Sequence, residues 1–330
     1  MTLVFLAILV GSNIFLSRRI GWIFSMEHLS VLHVLFAVIP VFMIAGLIGL
    51  SNVTGTVGHL LYGLAAVLTG VMLYLVLSFL LFEVVHLVYP LGRTLYGVLA
   101  FSMTAAVVVY GLINAGNTRF NQVEVPVEGL EEEVKIMHLS DIHIGHFRGK
   151  DFLQKLVDLS VDSSPDLVVI TGDLFDGRYN LSMESLEPLR QFTVPIYFVE
   201  GNHDGYTGVE RIKAMLRETG VRVLENEVVM QGGLQLVGLD HMRADEDARA
   251  MHAMQEGATI KGVLQSLRID TVKPSVLLHH SPDGIEYAHA QGIDLYLAGH
   301  THAGQLFPVN YIHELLFKYN KGLSDYHETR

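Results

Sequence analysis

The chain has 330 residues, a formal net charge of −12 and no cysteine, with a mean hydropathy of +0.38. The missing cysteines exclude disulfides and thiolate metal sites, and the acidic balance excludes a protein that tracks nucleic acid, which needs a basic footprint. These averages conceal a sharp division. Up to residue 114 only Arg18, Arg19, Glu27, Glu83 and Arg93 are charged, whereas 19 of the 22 Lys+Arg and 32 of the 34 Asp+Glu come later.

In chain order the first elements are four apolar stretches, 2–16, 31–50, 57–82 and 95–113. The last three meet the length of about 20 residues that a bilayer core demands of a helix. The first is shorter, but it can extend through Arg18 and Arg19 if their heads reach back to the interface. A signal peptide fits it poorly, because no positive segment precedes the apolar run. The piece 20–30, holding Trp22, Phe24, Glu27 and His28, reads as interfacial. Residues 1–114 are therefore expected to be a transmembrane helical domain of about four spans, making the protein an integral, multi-pass partner of the lipid bilayer of the cell membrane. Arg18 and Arg19 follow the first span and Arg93 lies between the third and fourth. Basic loops stay cytoplasmic, so both chain ends, and whatever follows the fourth span, are expected outside the cytoplasm. Glu83 and His86 can share a helix face, but they lie at a span end near Pro90.

Residues 115–133 read as a linker, with Gly116, Pro126, Gly129 and the acidic run Glu131, Glu132 and Glu133. From 134 to 330 strands and helices alternate. Strands are expected at 134–139, 166–171, 195–199, 221–224, 228–230, 234–237, 275–278 and 295–298. Helical spacing marks 152–159, 181–192 (shortened or kinked by Pro188) and 209–219, and composition marks 243–267. Such alternation predicts an α/β layered domain, with a sheet-on-sheet core flanked by helices.

Chemistry gathers where the apolar strands end. Five of them run into Ser140-Asp141-Ile142-His143, Gly172-Asp173-Leu174-Phe175-Asp176, Gly201-Asn202-His203-Asp204, His279-His280-Ser281-Pro282-Asp283 and Gly299-His300-Thr301-His302. Carboxyl ends of strands are where open α/β sheets place their sites. Glycines before Asp173, Asn202 and His300 let the backbone turn sharply and crowd a ligand. Carboxylate, amide oxygen and imidazole together suit Mn²⁺, Fe²⁺ or Zn²⁺. So many ligands exceed what one ion needs, whereas two ions sharing a carboxylate use them; such a pair clamps a phosphoryl group while a bridging hydroxide attacks in line. Each fragment alone is an ordinary turn or core histidine, but buried imidazoles and carboxylates cost free energy unless paired or metallated, and five recurrences make chance a poor account.

These five blocks resemble the calcineurin-like metallophosphoesterase superfamily, and Gly299-His-Thr-His-Ala-Gly-Gln305 with the membrane anchor is similar to its bacterial integral-membrane, lipid-active branch. The resemblance covers most of 134–306. It implies a four-layer α/β/β/α metallophosphoesterase domain over 134–330 and two divalent ions, manganese first, iron or zinc as alternatives. One ion would take Asp141, His143, Asp173 and His302, the other Asp173, Asn202, His280 and His300, with Asp173 shared. His203 would protonate the leaving oxygen, oriented by Asp204. In the family pattern the ligand precedes the x-Pro dipeptide, which selects His280; strand alternation leaves His279 facing the other way. His146 takes no ligand role. Only 28 residues follow His302, so either C-terminal strands are missing or 311–319 replaces them, and His241 stands where related sequences often carry an acid.

The implied activity is metal-dependent hydrolysis of a phosphate ester or pyrophosphate of a lipid or lipid-linked substrate. A tethered hydrolase of soluble phosphodiesters or nucleotides is the alternative, and an inactive binding module or a helix-centred transporter or sensor are further ones. Every ligand type and His203 are present, which disfavours the inactive module, and scarce intramembrane charge disfavours the transporter. At 311–319, Tyr311, Ile312, Leu315, Leu316 and Tyr319 recur at helical spacing, a stripe suited either to lipid or to the domain core.

Overall fold

The computed structural model describes residues 2–248, 257–316 and 318–330, and the chain divides at residues 119 and 120 into two units. The first is built from four helices: α1 (Thr2–Ile23), α2 (Ser30–Gly49), α3 (Thr56–Val88) and α4 (Arg93–Ala115). Each is long and apolar enough to cross a membrane. α1 runs on through Arg18 and Arg19, so residues 20–23 are helical rather than a separate interfacial piece. A tertiary contact supports this: Arg19 pairs with Glu83 of α3, so this charge is met by its opposite within the bundle. Leu16, Phe36, Phe79, Tyr96 and Ala100 fill the interior of this unit, with Phe79 edge-on to Tyr96 at 5.8 Å and to Phe101 at 5.2 Å. Outward faces are equally apolar, with Val31, Ile48, Leu87 and Val109 exposed. A helix apolar on every side belongs in lipid or in a large core.

Between Ala115 and Ile136 there is no helix or strand. The second unit then alternates: β1 (Ile136–Leu139), β2 (Ile144–Gly145), α5 (Lys150–Asp162), β3 (Leu167–Thr171), β4 (Phe175–Asp176), α6 (Met183–Leu186), β5 (Ile196–Val199), α7 (Asn202–Thr207), α8 (Val209–Glu218) and β6 (Arg222–Val223). It continues with β7 (Glu227–Gln231), β8 (Leu234–Gly238), α9 (Ile260–Ser266), β9 (Ser275–Leu278), α10 (Ile285–Ala290), β10 (Leu295–Leu297) and α11 (Val309–Leu316). One sheet has the order β1-β3-β5-β6, all parallel. The other has the order β10-β9-β8-β7, parallel except for the β7–β8 hairpin. A short parallel pair, β2 with β4, lies outside both sheets and was not foreseen from sequence, since two-residue strands leave no periodicity to read.

Three apolar cores separate four layers. Alternate residues of β3 divide between the first two: Val168 and Ile170 pack with Leu153, Val157 and Leu216 of α5 and α8, whereas Leu167 and Val169 pack with Leu236, Val276 and Leu278 of the other sheet. On the far side, Val237 and Leu277 pack with Ile260, Leu264 and Ala288 of α9 and α10. The period of two along each strand thus builds the helix–sheet–sheet–helix order.

Two expected elements differ. Among the described residues, the helix expected over 243–267 is realised as α9. Asp245 Oδ1 accepts the backbone N–H groups of Asp247 (2.9 Å) and Ala248 (2.8 Å), a local turn that competes with helix. Thr259 then starts α9 by accepting the Gly262 N–H at 3.1 Å; residues 249–256 lie outside the described residues. Nor does 311–319 supply a strand: its first part is helical, as α11. The outer edge of β10 is met instead by Arg330, whose carbonyl accepts the Tyr296 N–H at 2.7 Å and whose N–H donates to Asp294 at 2.9 Å.

Candidate metal centre

β1, β3 and β5 of one sheet and β9 and β10 of the other point their carboxyl ends at one place. The loop after β1 brings Asp141 and His143, the loop after β3 brings Asp173 and Asp176, α7 opens on Asn202 and His203, and the turns after β9 and β10 bring His280, His300 and His302. Of these, Asp141, His143, Asp173, His300 and His302 have φ between 49° and 72°. Left-handed backbone at a non-glycine residue costs on the order of 1 kcal/mol and persists where the surroundings over-determine it. Crowding explains two glycines. A Cβ at Gly201 would stand 2.2 Å from Asp173 Oδ1, and one at Gly299 would stand 1.8 Å from Ser140 Oγ and 2.2 Å from Asp141 Oδ2.

Among the described residues, three sets of side chains bring ligand atoms within 4.8 Å of one another: Asp141, His143 and His302; Asp173, His280 and His300; and His143, Asp176 and His203. In the first, His302 Nε2 is 3.2 Å from Asp141 Oδ1 and 3.1 Å from His143 Nε2. In the second, His280 Nε2 is 3.2 Å from both Asp173 Oδ2 and His300 Nδ1. The same Asp173 Oδ2 is 3.7 Å from His143 Nε2, so one carboxylate stands between the first two sets. Asp141 is held by the His300 N–H, 3.1 Å from both its oxygens. His280 Nδ1 donates to the Thr171 carbonyl at 2.8 Å, which aims Nε2 at the cluster, the usual outer support of an imidazole ligand. Asn202 is buried, and its Oδ1 has no hydrogen-bond partner.

Charge explains what such a cluster lacks. Burial pushes His143 and His300 down to about 4. Burial also opposes ionisation of Asp173, yet the hydrogen bond and charge of His280, with His203 and His143 beyond, hold that carboxyl well below the usual carboxylate range. Burial would lower His280 too, but its bond to Asp173 raises it to about 9. Ring nitrogens facing one another at 3.1–3.2 Å and an orphaned buried amide oxygen are poor protein–protein contacts. They suit a divalent cation, and carboxylate, amide oxygen and imidazole are donors that Mn²⁺, Fe²⁺ and Zn²⁺ accept.

His203 is organised otherwise than expected. Its Nδ1 lies 2.8 Å from Asp176 Oδ1, and its side chain is 37% exposed. Burial would lower its pKa, but the bond to Asp176 and the charges of Asp173, Asp176 and Asp204 raise it above the ordinary histidine value. The expectation that Asp204 orients His203 is corrected. Asp204 is fully buried, three residues past Gly201, and its oxygens accept the Phe175 N–H at 2.9 Å and the Gly201 N–H at 3.0 Å. Burial and the neighbouring Asp173 charge raise it to about 7. It shapes the loops, and Asp176 holds the imidazole.

Other residues around the cluster had no assigned role. His241 is buried 5.5 Å ring-to-ring from His280 and 6.0 Å from His300, with Nδ1 unpartnered. His279 is turned aside, its Nδ1 near Ser281 O (2.8 Å) and Tyr296 Oη (3.0 Å), and His146 stacks on Tyr179 at 5.0 Å. Behind the site, buried Lys213 of α8 meets Glu200 at 2.6 Å, Glu225 at 2.9 Å and Asp240 at 3.5 Å. Glu200 precedes Gly201 and Asp240 precedes His241, so one ammonium ties β5 to β8. The sequence signal is faint: a carboxylate one residue past β5 and another two residues past β8.

Comparison with known proteins identifies the family of the second unit. The pattern defining calcineurin-like phosphoesterase domains matches residues 134–304. A transmembrane protein with metallophosphoesterase domain from Danio rerio is 36% identical over 242 residues, covering 68% of this chain and 54% of that protein. Its counterpart from Bos taurus is 34% identical over 250 residues, covering 70% and 55%. Phosphodiesterase YaeI of Escherichia coli K12 is 30% identical over 183 residues, covering 52% and 62%. The chain spans about half the length of the first two. Since the matched span runs from just before β1 through the last histidine of the cluster, and takes in more than half of the 330 residues, the chain belongs to the calcineurin-like phosphoesterase family.

Proposed function

We propose that the protein is a membrane-anchored, dinuclear-metal hydrolase of phosphate ester or pyrophosphate bonds, and that its substrate is a phosphorylated lipid or lipid-linked compound. Asp141, His143, Asp173 and His302 would hold one cation and Asp173, Asn202, His280 and His300 the second, with manganese the first choice and iron or zinc the alternatives. Two such cations supply Lewis acidity at the phosphoryl oxygens. The protein's own part is to position that group and to deliver a proton. His203, held at Nδ1 by Asp176 and raised in pKa, donates from Nε2 to the leaving oxygen. The observation that carries the hydrolytic reading is the single Asp173 carboxylate standing between two histidine sets.

Support for a lipid substrate comes from two places: four helices fit to cross a bilayer, and an apolar surface soon after His302. There Phe307 (64%), Tyr311 (57%) and Leu315 (87%) are exposed, with Phe307 edge-on to Tyr311 at 5.9 Å. That exposure favours a lipid-facing stripe over a core-packed one for these residues; the side chains of Ile312 and Leu316 lie outside the described residues. The test is phosphate release by purified protein with Mn²⁺ from phosphatidic acid and a polyprenyl pyrophosphate in micelles, beside nitrophenyl phosphate and bis-nitrophenyl phosphate. Phe307→Ser with Leu315→Ser should depress lipid turnover several-fold and leave the soluble esters unchanged. Equal loss on both, or preference of the unmodified protein for soluble diesters, would replace the lipid reading with a tethered soluble-ester hydrolase.

A further inference from the structure

An amide ligand poses a problem that a carboxylate does not. Only its oxygen can bind a cation; its NH₂ end, turned inward, would repel one. Something must fix which end faces the metals, and Asn202 sits at the very start of α7, where the helix does not yet restrain it. Tyr206 lies four residues on, one helical turn away, and so shares its face. The Tyr206 hydroxyl and the Asn202 amide are hydrogen-bonded. Asn202 Oδ1 is buried without a partner, so the amide's share of that bond is its NH₂, donated to the phenolic oxygen. Tyr206 is 51% exposed, and its ring rests edge-on against His203 at 5.7 Å.

We infer that Tyr206 is a positioning residue that locks the Asn202 amide, engaging its nitrogen so that only its oxygen is offered to a divalent cation. This rests on the ligand role proposed for Asn202. Without the hydroxyl the amide can rotate by half a turn, and a share of molecules presents NH₂ to the ion. The lock therefore acts on cation affinity at the position shared by Asn202, His280 and His300, and leaves the Asp141–His143–His302 position alone.

A carboxylate in place of the amide makes the lock redundant, because both its ends are oxygens. The experiment is calorimetric titration of Mn²⁺ into the full chain in detergent, stripped of metal, with the thermal midpoint recorded alongside. Tyr206→Phe keeps the ring; it should weaken one of two bound ions by roughly 3- to 10-fold, the fold-change of one net hydrogen bond, at an unchanged midpoint. In an Asn202→Asp background the same Tyr206→Phe change should alter neither ion. Equal weakening in both backgrounds, or no weakening in the Asn202 protein, would overturn the lock. If Asn202→Ala leaves both ions bound with full affinity, the ligand assignment itself falls, and the lock with it. That outcome is separable, because Tyr206→Phe alone would not produce it.

Discussion

The four-helix unit and the candidate metal centre of the second unit treat buried polar groups differently. In the helical unit they satisfy one another. Arg19 pairs with Glu83; the Tyr96 hydroxyl bonds the Phe79 carbonyl at 2.9 Å and lies 3.2 Å from Glu83; Asn13 donates to the His33 carbonyl at 2.9 Å and meets its ring at 2.8 Å. At the candidate metal centre Asn202 Oδ1, His143 Nδ1 and His241 Nδ1 are buried without hydrogen-bond partners, and imidazoles face imidazoles. A polar group that finds its complement inside the fold contributes to holding that fold together. One left incomplete costs about 1–3 kcal/mol and is retained where something outside the chain completes it.

The sharpest way to break this contrast is at the carboxylate between the two histidine sets. Asp173→Ala should reduce bound metal, by mass spectrometry, from two ions to one or none and bring hydrolysis to background. Two ions still bound would remove the shared role. A smaller effect is expected at Asp176. His203 must carry a proton to act as an acid, so activity is lost as pH rises through its pKa, and Asp176 places that pKa above the ordinary value. Asp176→Asn should move the alkaline limb of kcat/KM down by about one pH unit, the lower end of what an adjacent opposite charge is worth, with both ions still bound. An unmoved limb would show that another group supplies the proton. The smallest effect belongs to the helical unit. Arg19→Leu should lower its unfolding midpoint in detergent by the equivalent of about 1–2 kcal/mol, Arg19→Leu with Glu83→Leu should restore most of that, and turnover of a soluble ester should stay unchanged in both. A lasting loss of turnover would mean that this pair is not merely structural.

What the sequence makes legible, and what it hides, follows from the range of the interactions involved. Five of the seven candidate ligands lie two or three residues past an apolar strand, so a reader needs only local pattern to find Asp141, Asp173, Asn202, His280 and His300. The partner of His203 is not local. Asp204 is its neighbour in the chain, but the first turn of α7 directs that carboxylate to backbone N–H groups, and the contact is made by Asp176 at the end of β4. Lys213 misleads for the same reason: it belongs to a helix that reads as amphipathic, and only tertiary packing brings Glu200, Glu225 and Asp240 around it. Composition favoured helix over 243–267, and side-chain turns at Asp245 prevailed at its start.

The site draws Asp141, Asp173 and Asn202 from one sheet and His280, His300 and His302 from the other. A cation gripped across that seam is also a rivet, present only in the assembled state. Free metal held at a hundredfold above its dissociation constant would add about 2.7 kcal/mol of stability per site. With cations bound as proposed, the lifetime of the second unit in a cell would follow metal supply, and starvation for the cation would expose the protein to proteases as well as end its turnover.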